Sequence, residues 1–181
     1  MLYLIMFTSG IVHALKVKGV NIPESATIEG KTCKLNGAGI RKKLIINVYI
    51  GALYLEKPTK NAAAVISSDQ MKRVAMNFLY KEVTAEQLVD AWNEGFEKNN
   101  SGDAVSSLKD KINLFNGFFT EPMKKGETMS FTYVPGKGTE VKIKGRVKGN
   151  IEGADFMKAL FAVWFGPYPP SKGLKEGMLG E

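Results

Sequence analysis

Hydrophobic positions change period several times along this chain, and each change marks an element. The stretch Leu15-Lys16-Val17-Lys18-Gly19-Val20 alternates at period two, and KVKGVNIP predicts a first strand ended by Pro23. In ATIEGKTCKLNGAGIRKK, glycines 30, 37 and 39 read as turns of a hairpin or meander. The run Leu44 to Glu56 is rich in β-branched and aromatic residues, which predicts a central strand with Gly51 as a bulge or bend. Lys57-Pro58 stops it, a short helix is expected over 61–67, and Met71 to Tyr80 returns as a strand.

The period then becomes helical. Thr84-Ala85-Glu86-Gln87 has capping-box spacing, and Leu88, Val89, Trp92 and Phe96 follow on one face, predicting a helix over 84–100. After the break at Asn99-Asn100-Ser101-Gly102, the stripe Val105, Leu108, Ile112, Phe115 predicts a second helix paired with the first. Period two resumes from Thr128 to Lys148, as a hairpin turning at Pro135-Gly136-Lys137-Gly138 with Lys142, Lys144, Arg146 and Lys148 on a wet face. ADFMKALFAVWFG reads as a mostly buried helix closed by Gly166-Pro167, with a last turn or two over 171–179. The class is α+β, an antiparallel sheet covered on one side by helices.

Length and composition add that 181 residues with 44% hydrophobic content suit one domain. The net charge of +7 favours acidic small molecules, anionic membrane surfaces or nucleic acid. Nucleic acid is not expected, because the densest basic stretch alternates as an ordinary strand does; a peripheral membrane contact remains compatible. Residues 2–12 are apolar but too short to span a bilayer, and Val12-His13-Ala14 suits cleavage after Ala14. Residues 1–14 thus read as a signal peptide and 15–181 as the domain, periplasmic or secreted. No Lys or Arg precedes the run, so a buried first strand is the second reading.

Cys33 is the only cysteine, which rules out an intramolecular disulfide and a cysteine zinc site. His13, the only histidine, falls in the leader, so a mature chain would lack histidine-based acid–base or metal chemistry. LNGAGIRKK is glycine-rich but has neither phosphate-loop spacing and precedes a strand. No metal or cofactor is expected.

LNGAGIRKK followed by VYIGALYLE resembles the chalcone isomerase pattern of a "GGAG-R" turn before a strand ending "VYLE", and VWFGPYPPSKGLKEGMLG resembles that superfamily's C-terminal signature. The two motifs bracket the chain, and the resemblance is to the bacterial, secreted chalcone isomerase-like branch. It implies an open-faced β-sandwich with a ligand cleft between sheet and helices. It also implies that Arg41 is the turn arginine, which pairs with a carboxylate in fatty-acid-binding relatives and polarises substrate in the isomerases. Tyr49 stands where those binders carry tyrosine.

The residues themselves allow this chemistry, since a guanidinium fork and a phenol can share one carboxylate. They equally allow a surface arginine beside Lys42 and Lys43 and a core tyrosine. Trp92 and Trp164, with Phe96, Phe161 and Phe165, read as core or as cleft lining. Positions that are polar in the isomerases look like Thr84, Ala91 and Val163 here, with Asn93 nearby, which argues against cyclisation of a chalcone. The expectation is a non-catalytic binder of a fatty acid or similar apolar carboxylate. An intramolecular lyase using Arg41 and an envelope protein-interaction module are the alternatives.

Overall fold

The computed structural model describes residues 14–181. The apolar run read as a leader lies outside the described residues. The described residues begin with a hairpin of β1 (Ala14–Val17) and β2 (Val20–Pro23), where a single strand was expected. Lys18-Gly19 makes the turn, both residues having positive φ. β3 (Ser25–Ile28), the long β4 (Lys31–Lys43) and β5 (Ile46–Leu55) form the meander. Asn61 caps α1 (Ala62–Ser67), and β6 (Lys72–Phe78) returns alongside β5. A two-residue strand β7 (Glu82–Val83) precedes α2 (Ala85–Asn99), whose Thr84–Gln87 capping box is formed as the spacing predicts.

The second helical stripe is divided at Leu108 into α3 (Gly102–Ser107) and α4 (Lys109–Asn116). β8 (Met123–Lys124) pairs with β7. The expected two-stranded unit over 128–148 is three strands, β9 (Thr128–Val134), β10 (Gly138–Ile143) and β11 (Arg146–Ile151). Lys144-Gly145 turns the chain with positive φ at both residues, so the basic residues do not share one strand face. α5 (Ala154–Phe165) and α6 (Lys172–Leu179) complete the fold.

Seven strands form one antiparallel sheet in the order β11-β10-β9-β6-β5-β4-β3. Tyr49, Leu53 and Leu55 of β5 face a core closed by α5, α2 and α6, whereas Ile50, Ala52 and Tyr54 face the opposite side. The β1–β2 hairpin covers part of that side, burying Ile22 and accepting a hydrogen bond from the Tyr54 hydroxyl at Pro23 O, 3.0 Å. Burial on both faces explains why β5 reads as a near-continuous apolar run. Cys33 is buried filling on the hairpin side.

Glycines 37 and 39 are strand residues of β4, not turns. A Cβ on Gly37 would lie 2.2 Å from Gly177 O, and one on Gly39 2.4 Å from Leu174 O. Backbone of α6 rests on them, an approach only glycine permits. Gly51 serves the same contact, a Cβ there meeting Leu174 and Met178 at 2.9 Å; it is not a bulge. The pairing of β4 with β5 instead slips at Asn36 and again at Val48, beside the Arg41–Tyr49 pair.

Candidate functional site

A cleft of about 770 Å³ opens between the β4–β5–β6 part of the sheet and α2. Its sheet wall includes Arg41, Tyr49, Met76 and Phe78; its helix wall includes Leu88, Ala91, Trp92 and Gly95; Val163 of α5 and the Tyr168–Pro170 segment complete it. Arg41 lies on β4, not on a turn, and pairs directly with Tyr49 across the ladder. Both side chains therefore emerge on the same face of the sheet. The Arg41 guanidinium carbon sits 5.8 Å from the centre of the Tyr49 ring.

Tyr49 is 3% exposed, and its hydroxyl accepts a hydrogen bond from Trp164 Nε1 at 3.2 Å. That leaves the phenolic hydrogen to donate elsewhere. Burial pushes the phenol above its ordinary pKa, against the opposing pull of the Arg41 charge and the Trp164 donor, so Tyr49 is a neutral donor at physiological pH. Trp164 itself is fully buried one layer behind the wall and reaches the cleft only through this bond.

Trp92 borders the cleft and packs edge-on against Trp164, Phe115 and Phe131 at centroid separations of 5.5, 5.4 and 5.2 Å. Its Nε1, like Arg41 Nε, is buried without a hydrogen-bond partner among the described residues. An unmade bond at a buried donor is costly, and these two belong to side chains on neighbouring walls of one cleft. Lys42, Lys43 and Lys98 surround the mouth, with Glu94 as the acidic member; hydrogen bonding to Lys98 holds the Glu94 carboxyl below its usual range.

The expected site residues thus separate. Arg41, Tyr49 and Trp92 border one cavity, Trp164 supports it from behind, and Phe96, Phe161 and Phe165 are core. Ala91 and Val163 contribute apolar wall, Thr84 is occupied by capping α2, and Asn93 accepts from Asn116 at 2.7 Å. Gly95 was not singled out by the sequence pattern, yet a Cβ there would lie 2.6 Å from Val163 Cγ1. A glycine inside an otherwise regular amphipathic helix was the available signal, because it weakens the helix unless something packs close.

A curled antiparallel sheet and a one-sided helical layer, with the cleft between them, form the open-faced β-sandwich the motifs imply. Family comparison makes the assignment specific: the chain belongs to the chalcone isomerase-like family, which matches residues 14–180. Among solved structures, it is similar to the Arabidopsis thaliana fatty-acid binding protein AtFAP1, with a TM-score of 0.73 at 16% identity, covering 92% of this chain and 96% of that one. No protein of curated function matches the sequence. At that identity the likeness concerns the fold. Among the described residues no group of His, Cys, Asp and Glu is placed to hold a metal ion.

Proposed function

We propose that this protein is a non-catalytic carrier of a fatty acid or similar small apolar carboxylate. The observation that carries the reading is the pairing of the Arg41 guanidinium with Tyr49, whose hydroxyl hydrogen the Trp164 bond leaves free, on the wall of one cleft. A permanent cation beside a neutral hydroxyl donor complements an anion rich in lone pairs. Met76, Phe78, Val83, Leu88 and Val163 offer the apolar contact that a tail needs, in a volume within the usual range for ligand sites. The fold shared with a fatty-acid binding protein supports the same reading. Ring closure of a chalcone is not proposed, since Ala91 and Val163 leave those parts of the wall without a polarising group. The apolar run at 2–12 and the small residues ending at Ala14 support export, so we place the carrier in the periplasm or outside the cell.

The test is displacement of a fluorescent fatty acid from the delipidated protein by acids and by their methyl esters. The carrier reading expects tight binding of the acid and weaker binding of the ester, which cannot engage Arg41 as an anion. Equal affinity for the two, or no binding of either, overturns it.

A further inference from the structure

Four non-glycine residues among those described have positive φ: Lys18, Glu29, Leu44 and Lys144. Each begins a two-residue hairpin turn, flanked by the pairs Val17–Val20, Ile28–Lys31, Lys43–Ile46 and Ile143–Arg146. In three of the turns a charged residue is followed by glycine, as the backbone and solvent exposure favour. The β4–β5 turn instead carries Leu44 and Ile45, which are 93% and 95% exposed, the extremes among the large apolar residues described. Ile46 beside them is 40% exposed. A bulky aliphatic in the left-handed region is strained, and neither side chain buries anything within the protein. Folding does not account for this choice of residues.

Its surroundings do. Lys42 and Lys43 precede the tip and line the cleft mouth, and Tyr168, 65% exposed, lies on the same rim. Two aliphatic side chains at a projecting tip, backed by cations and an exposed tyrosine, match the layers of an anionic bilayer, from acyl boundary to headgroups. No described helix is long and apolar enough to cross a membrane. We propose that the Leu44–Ile45 tip docks the protein on an anionic lipid surface, with the cleft mouth against the headgroups. Docking needs no ligand in the cleft and therefore stands apart from the carrier reading; where both hold, the tip sets the mouth where an apolar carboxylate leaves or enters the bilayer.

The experiment compares the mature protein, from Leu15 onward, with its variant Leu44→Asn, Ile45→Gly, which leaves charge unchanged and supplies residues suited to the turn. Flotation with vesicles of phosphatidylcholine and phosphatidylglycerol should recover the wild type, and less of it with phosphatidylcholine alone or at high salt. The variant should partition at least tenfold less, a decade corresponding to about 1.4 kcal/mol, while its thermal midpoint holds or rises and fatty-acid affinity is unchanged. A nitroxide on Ile45→Cys reports depth directly, because the native Cys33 is buried. On bound protein the label should be accessible to oxygen and shielded from a water-soluble nickel reagent. Absence of vesicle binding, equal partitioning of the two proteins, or a label that stays aqueous on the bound protein overturns the proposal.

Discussion

Replacing Arg41 by methionine keeps most of the stem and removes the guanidinium, and the structure specifies what should follow. Arg41 Nε is buried and unpartnered in the free protein, so part of the desolvation that binding would demand is already present there. A hydrogen bond to a charged group contributes roughly 1.5–3 kcal/mol, and roughly 1.4 kcal/mol makes one decade of affinity. Arg41→Met should therefore weaken binding of a long-chain acid about ten- to a hundredfold. The methyl ester of the same acid should bind wild type and variant alike, because the variant removes only what reads the charge. Arg41→Lys should recover part of the loss, as a point charge replaces a fork. Because the variant also deletes an unsatisfied buried donor, its thermal midpoint should not fall, which separates lost recognition from lost folding. Calorimetry with acid and ester at fixed ionic strength is the assay. Equal losses for acid and ester, or undiminished acid binding, would refute the assignment of Arg41 to the headgroup.

Four further outcomes are expected. Lys72 is fully buried with its ammonium bonded to Val65 O and Ser68 O, and burial pulls its pKa from 10.5 down to about 8. The unfolded chain then holds the proton more tightly than the folded one between those values, so this group's contribution to stability rises with pH above about 8, by about 3 kcal/mol at most. Cys33, Tyr54 and Tyr133 have raised values and oppose it at higher pH, so the difference between wild type and Lys72→Met in urea unfolding is the quantity to follow; a flat difference from pH 7 to 10 contradicts the reading. Gly39→Ala should cost roughly 1–3 kcal/mol by forcing α6 off β4, read as a lower thermal midpoint, and an unchanged midpoint would mean that the contact is slack. Naringenin chalcone should close no faster with the protein than without it, followed by absorbance; a rate proportional to protein and lost in Arg41→Ala restores the lyase reading. N-terminal sequencing of periplasmic protein should begin at Leu15, and an intact Met1 in the cytosol counts against export.

What the chain alone determined are the features whose physics is local. The capping box at Thr84 and Gln87, the stripe of α2 and the apolar run of α5 each contain both partners of the interaction that matters, within a few residues. The two family motifs likewise located the fold and drew attention to Arg41 and Tyr49, which pairing then set side by side. Meanings that depend on a distant partner were not legible. Glycines 37 and 39 resemble turn residues until α6, more than a hundred positions later, is seen lying on them. Trp92 and Trp164 look equivalent in the sequence; packing leaves one with an unpartnered donor beside the cleft and sends the other behind the wall to hold Tyr49. Leu44 and Ile45 read as the start of a central strand, because hydrophobicity predicts burial only on average. Their place at a hairpin tip follows from the register that pairs Lys43 with Ile46, and register is settled by the whole sheet packing its alternate faces, not by the residues at the turn.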